Sequence, residues 1–223
     1  VSGATVAVAG GTMTGVSTSK LAGSGAMLNF TPTSVTVPMT LTTTTLQGGS
    51  LTIANTEAVT LLNGGLSDPV TVQGGGKLWT FGTVSLAGAL NIPDAASELH
   101  VEGNSIGSTA VLTVANGFTN NGFIELNSTS GHNVTLGVTT GTLVNASGGT
   151  IRSAAGSGGG RTLAAQIDNQ GTLDIDQPLT LNKASAAHVN SVTIDLTTAN
   201  LTVTQTGTSP SFTNNGTITL GAN

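Results

Sequence analysis

Phe118-Thr-Asn-Asn-Gly-Phe-Ile-Glu-Leu126 returns almost unchanged as Phe212-Thr-Asn-Asn-Gly-Thr-Ile-Thr-Leu220. A looser copy, Ile167-Asp-Asn-Gln-Gly-Thr-Leu-Asp-Ile175, lies between them. Each copy has an apolar anchor, Asn two positions on, Gly four positions on, and then an apolar-x-apolar strand. Leu143-Val-Asn-Ala-Ser-Gly-Gly-Thr-Ile151 carries one extra position before its glycine, and Val189-Asn190 opens a degenerate copy that runs into Val192-Thr-Ile194. The anchors are thus Phe118, Leu143, Ile167, Val189 and Phe212, and the unit recurs about every 22–25 residues. A repeat of that length, made of strand and turn, predicts a β-solenoid.

The repeat assigns a role to each of its fixed residues. Glycine permits the positive φ of a sharp corner, so Gly82, Gly122, Gly171 and Gly216 are expected at corners, with Leu78 as the anchor before Gly82. Asn tolerates the same backbone region. If equivalent positions stack, Asn120, Asn145, Asn169, Asn190 and Asn214 form a ladder of amide hydrogen bonds. A second strand follows several copies, at Val134-Thr-Leu136, Leu179-Thr-Leu181 and Leu201-Thr-Val203, which gives three strands per turn. Alternating residues then point inward, with Thr, Ser and Asn outside.

Working outward, residues 1–77 show strand-like alternation without the regular repeat, as in Val6-Ala-Val8, Leu28-Asn-Phe30, Val35-Thr-Val37 and Met39-Thr-Leu41. No stretch has helical spacing, and Asp94-Ala-Ala-Ser-Glu98 is the best candidate for a single helical turn. The expectation is therefore one all-β domain over 1–223, a single-stranded right-handed parallel β-helix of about 22–25 residues per coil. Residues 1–77 form irregular coils that cap or continue the regular repeats of 78–223. With no capping element legible at either end, the chain reads as a segment of something longer or as a unit that stacks on its neighbours. About ten coils at strand spacing would make a rod on the order of 45–50 Å long.

Composition narrows the function classes. Charged residues make up 7% of the chain and aromatic residues 3%, with one Trp and no Tyr. Enzyme domains usually carry roughly a quarter charged residues. A net charge of -5 with five Lys and Arg leaves no basic stripe for phosphates, which argues against nucleic acid and against anionic membrane surfaces. The absence of Cys excludes disulfides and thiolate metal sites. No apolar run is long enough to insert as a membrane helix.

The Asn-x-Gly-Thr-Ile-x-Leu units resemble the right-handed parallel β-helices of large bacterial secreted proteins, of the filamentous haemagglutinin-like adhesin or autotransporter passenger type. The resemblance covers residues 78–223 by motif and 1–77 by composition and strand spacing. It implies a secreted or surface-displayed stalk used in adhesion or assembly.

The strongest candidate for chemistry is a column of charge. Stacked post-glycine strands would place Glu125, Arg152, Asp174 and either Thr193 or Asp195 beneath one another, with Asp176 beside Asp174. Three readings compete for it. One is a solvated ladder that pins register, one a weak cation site on Asp174, Asp176 and Asp195, and one a carboxylate pair of the glycosidase kind. The expectation is that no aromatic residue stands close in sequence to these carboxylates to stack on a sugar ring, which disfavours catalysis. His100, His132 and His188 share no repeat position and read as surface residues. Gly74-Gly-Gly76-Lys77 and Gly158-Gly-Gly160-Arg161 open no helix and read as flexible corners in place of phosphate loops, and Ser153–Gly160 as a flexible loop. Thr40-Leu-Thr-Thr-Thr-Thr45 does not recur at one place in each coil, which weighs against an ice-binding array.

The sequence thus predicts an extracellular structural and adhesive stalk, non-catalytic and without a cofactor. Its partners would be neighbouring copies, further repeats of the same chain, or host and surface glycans. A polysaccharide-binding or -cleaving β-helix such as a phage tailspike is the alternative. Tandem β-sandwiches are opposed by the short repeat.

Overall fold

The computed structural model describes residues 5–8, 21–25, 27–30, 33–35, 38–54 and 56–221. Among these residues the chain is strand, turn and bend with no helix, wound as a parallel β-solenoid. Part of Val35-Thr-Val37 lies outside the described residues. Every pairing between strands is parallel and joins one turn to the next.

Three faces recur in each turn. The first carries the strands Glu98–Gly103, Phe123–Ser128, Thr150–Ser153, Thr172–Ile175, Thr193–Leu196 and Thr217–Leu220, four of which follow a glycine directly. The second holds Leu179–Leu181, Leu201–Val203 and the opening halves of three longer strands, Ala110–Asn120, Val134–Asn145 and Arg161–Asn169. The third takes the closing halves of those three, followed by Ala187–Asn190 and Ser211–Asn214. About eight turns run from Met39 to Asn214 among the described residues, with further strands at both ends.

The core follows from the alternation of side chains along each strand. Leu78, Leu99, Ile124, Ile151, Leu173 and Ile194 form one inward column on the first face, each at most 1% exposed. Leu112, Leu136, Leu163 and Leu181 form another on the second face. Each buried aliphatic side chain contributes roughly 1.5–3 kcal/mol, so the stack of columns is the main source of stability.

The turns are less uniform than the motif spacing suggests. Met39, Val59, Leu78 and Leu99 are successive register partners, so the turns of this part are only about 19–21 residues long. From Leu99 through Ile124 and Ile151 to Leu173 they lengthen to about 22–27 residues. The motif spacing therefore holds only for part of the molecule. The sequence of residues 1–77 looks irregular because the turns of its described part are shorter and close without the Asn-x-Gly corner. The described part of this region continues the same stack, through Leu21↔Met39 and Met39↔Val59. Asp94-Ala-Ala-Ser forms a turn, held by Asp94 Oδ1 accepting the Ala96 amide at 3.1 Å, in place of a helix.

Candidate functional site

The third face closes on the Asn column. Asn120 pairs in register with Asn145, Asn145 with Asn169, Asn169 with Asn190, and Asn190 with Asn214. Each Nδ2 donates to the Oδ1 of the next, at 2.8, 2.8, 2.7 and 2.6 Å. The same amides also reach the carbonyls of Thr150, Thr172, Thr193 and Thr217, which begin the first-face strand of the following turn. The first four asparagines are at most 1% exposed, so the ladder lies inside the coil. Before Asn120 the column is aliphatic, beginning at its bridge partner Ile92.

The glycines are needed for a different reason from positive φ. At Gly122 a side chain would meet the carbonyls of Ser97 and Asp94, at Gly171 those of Gly149 and Ala146, and at Gly216 the backbone of Val192. None of these three glycines has a positive φ; the backbone of the preceding turn approaches too closely for a Cβ. Gly82 is not their equivalent. It has φ 64 and sits where the strand Lys77–Leu86 bends from the first face to the second, between Phe81 and Val84. Leu78 accordingly belongs to the first-face column and is not an anchor. The degenerate copy is also displaced by one position. His188, rather than Val189, stands in register with Phe212 and two positions before Asn190.

His188 is therefore a core residue, 0% exposed, and not a surface one. Its Nδ1 accepts the Ile167 amide at 3.2 Å, while Nε2 is buried without a hydrogen-bond partner. Burial pushes its pKa down. Arg161 is a second buried polar residue that the sequence conceals. It occupies an inward position between Val134 and Leu179 at 1% exposure, without a carboxylate partner. Its guanidinium donates to the carbonyls of Leu126, Ala154, Gly158 and Gly159 at 3.1, 3.1, 2.8 and 2.9 Å. The loop before it is thus pinned from within and is not a free corner, and burial lowers the Arg161 pKa.

The first face gathers most of the molecule's chemistry. One outward row runs Thr40, Thr60, Trp79, His100, Glu125, Arg152, Asp174 and Asp195 through successive register pairs. Asp195 rather than Thr193 is the partner of Asp174. With Glu98, Glu102 and Asp176, six of the chain's ten acidic residues lie on this face. Trp79, Phe81 and Phe123, three of its six Trp and Phe residues, stand among them. The expectation that no aromatic residue stands close in sequence fails at Phe123, two positions from Glu125, and register adds Trp79 and Phe81 from an earlier turn.

Contacts along the row are diagonal as well as vertical. Arg152 Nε bonds Asp176 Oδ2 at 2.7 Å and Nη2 bonds the same oxygen, whereas Asp174 Oδ2 lies 3.4 Å from Nε. Hydrogen bonding to Asp176 raises the Arg152 pKa. Burial, then the Asp176 charge, raises the Asp174 pKa against the pull of Arg152. Glu125 Oε1 lies 3.4 Å from His100 Nδ1, and Asp195 Oδ1 accepts the Thr197 amide at 2.9 Å. Asp174, Asp176 and Asp195 thus do not converge on a point, and no group of three or more metal-ligating side chains occurs among the described residues.

Further down the row, Glu98 bridges Lys77 Nζ and His100 Nε2, each at 2.7 Å. Burial would raise the Glu98 pKa, but these two bonds outweigh it and hold it down. His100 is 6% exposed because Trp79 lies flat on it, ring centroids 3.8 Å apart and planes 7° apart, with Phe123 edge-on at 6.1 Å. The sequence signal for this cluster is the equal parity of Trp79-x-Phe81, Glu98-x-His100-x-Glu102 and Phe123-x-Glu125. Reading it requires the lengths of two unequal turns, the one from Trp79 to His100 and the longer one from His100 to Glu125.

No family model matches the chain, and neither does any curated protein or solved structure.

Proposed function

We infer that the chain is an extracellular β-helical stalk, structural and adhesive, whose function is to present the first face along a stiff rod. The observation that carries this reading is the segregation of acidic and aromatic side chains onto one sheet, in a chain only 7% charged. A continuous hydrogen-bonded coil with an internal amide ladder is suited to holding such a face rigid. The resemblance to filamentous haemagglutinin-like adhesins and autotransporter passengers supports a secreted, bacterial, surface-displayed setting.

End-to-end assembly belongs to the same proposal. Successive turns pair strand to strand in one continuous parallel ladder. Unpaired strand edges with apolar inward positions favour continuation by a neighbouring copy or by further repeats. Negative-stain electron microscopy of the purified protein tests the reading. Straight rods or filaments support it, and compact or flexible particles oppose it.

The acidic and aromatic face also favours a second reading, a polysaccharide-binding or -cleaving β-helix. Cleavage is the weaker half, because Arg152 ties Asp176 and lies beside Asp174, so the two carboxylates do not face each other across an open gap. Release of reducing sugar that disappears in Asp174→Asn would establish it.

A further inference from the structure

The His100 imidazole lies flat on one face of the Trp79 indole, and Trp79 stays half-buried. The imidazole belongs to the following turn, so the other face of the indole looks toward the preceding turn. There its register partner is Thr60, with Thr40 one turn further on. Both are small hydroxyl side chains on the outer surface, which leaves a step above a threonine floor. Phe81, two positions along the strand, extends the wall, its ring 6.1 Å from that of Trp79 and within 12° of parallel.

One end of this wall carries an unusual side chain. Ile106 is 76% exposed, the highest value for a large apolar side chain among the described residues, with only Leu220 near it at 71%. It is held in place by a built turn, in which Asn104 Oδ1 accepts the amides of Ile106 and Gly107 at 3.0 and 2.7 Å. Gly107 is packed so closely against Phe81 and Gly82 that no side chain would fit there. The loop therefore fixes an isoleucine beside the aromatic wall while leaving it in water, an arrangement with no role in the core.

We propose that Trp79 and Phe81 over the Thr60 floor, with Ile106 at the rim on the following turn, form a binding subsite for an uncharged pyranose of a polysaccharide. The proposal rests on the adhesive reading of the first face and names where and what that face binds. The indole face suits the C–H face of a sugar ring, and the threonine hydroxyls suit its hydroxyl groups. Charge selects among sugars. Glu98, Glu102 and Glu125 lie in the next two turns, with Lys77 and Arg152 as the flanking permanent cations, and the acidic excess continues beyond Arg152. A uronic or sialic acid would meet a field of its own sign.

Trp79 is the only tryptophan in the chain, so intrinsic fluorescence reports on this position alone. The test is to titrate the intact protein with dextran, a soluble β-glucan, a mannan and, as the anionic comparison, polygalacturonate. A saturable emission shift with at least one neutral polysaccharide is expected, and none with polygalacturonate. In affinity electrophoresis through the responding polysaccharide, Trp79→Ala should weaken retention by roughly tenfold or more, the effect of losing an aromatic anchor. Ile106→Ser, on an exposed loop, should weaken it without altering the fold. Three results would each overturn the proposal: no response to any neutral polysaccharide, a response to polygalacturonate alone, or undiminished retention of Trp79→Ala. None of them would affect the rod morphology by which the stalk reading is judged.

Discussion

Asn145 donates an amide hydrogen to Asn169 Oδ1 at 2.8 Å and accepts one from Asn120 at the same distance, so a single side chain joins three turns. Replacing it by Ala leaves one buried donor and one buried acceptor unpaired, each costing about 1–3 kcal/mol. Asn145→Ala should therefore destabilise the protein by about 3 kcal/mol in chemical denaturation. Asn214→Ala, at the exposed end of the ladder, should cost about 1 kcal/mol or less. Equal losses at the two positions would mean that the amides act singly and not as a ladder.

Gly171 lies against the carbonyls of Gly149 and Ala146 in the turn before it. Gly171→Ala forces those backbones apart, an overpacking cost of about 1–3 kcal/mol. Gly148→Ala, where nothing lies within 4 Å of the added carbon but φ is 87, should cost about 1 kcal/mol from backbone strain alone. Thermal melts of the two variants compare crowding with φ directly.

The two arginines should behave in opposite ways. Arg161→Met removes four hydrogen bonds to buried or half-buried carbonyls, leaving Leu126 O with the Ala154 amide and Gly159 O with the Gln177 side chain, and should cost about 2 kcal/mol or more. Arg152→Met breaks surface pairs around a side chain 42% exposed and should cost less than about 1 kcal/mol. Limited proteolysis should cut the 153–160 loop faster in Arg161→Met alone.

His188 gives the stack an acid sensitivity with a definite sign. Its folded pKa lies below the ordinary value of 6.5, because burial disfavours the charged ring. Above 6.5 both folded and unfolded chains hold it neutral, and its contribution to stability is fully present. As the pH falls below that value the unfolded chain binds the proton first, and the contribution is lost as the pH passes through the depressed folded value. Protonation would also turn Nδ1 from an acceptor into a donor facing the Ile167 amide. Between about pH 7 and about pH 5 the melting temperature should fall more for the native protein than for His188→Leu. An equal fall would remove His188 as the cause.

The sequence is legible wherever a local pattern carries the physics. Asn120, Asn169 and Asn214 with their glycines announce a coil, because the corner they build must repeat in every turn. The reason for those glycines is not legible, since close approach between turns is a property of the stack and not of the strand. Gly82 misleads because a bend between the first and second faces and a corner between the third and first both end in Gly-Thr-apolar-x-apolar. His188 misleads because a polar residue in an anchor column has the appearance of a surface residue. The Trp79, His100 and Glu125 row stays hidden for a related reason. Its members are unevenly spaced along the chain, and only the register shows that each of these unequal steps is one turn.

All of these expectations depend on consecutive windings lying one above another on a single axis. The native chain has no cysteine, so an introduced pair can be trapped without competition. Thr135 and Thr162 are outward register partners in adjacent turns, and Thr180 pairs with Thr162 one turn further on. Neighbouring parallel strands lie about 4.8 Å apart, within the Cα range a disulfide spans. Mild oxidation should close Thr135→Cys with Thr162→Cys quantitatively and leave Thr135→Cys with Thr180→Cys open. Failure of the first pair to close, or closure of the second in its place, would contradict the stacked coil.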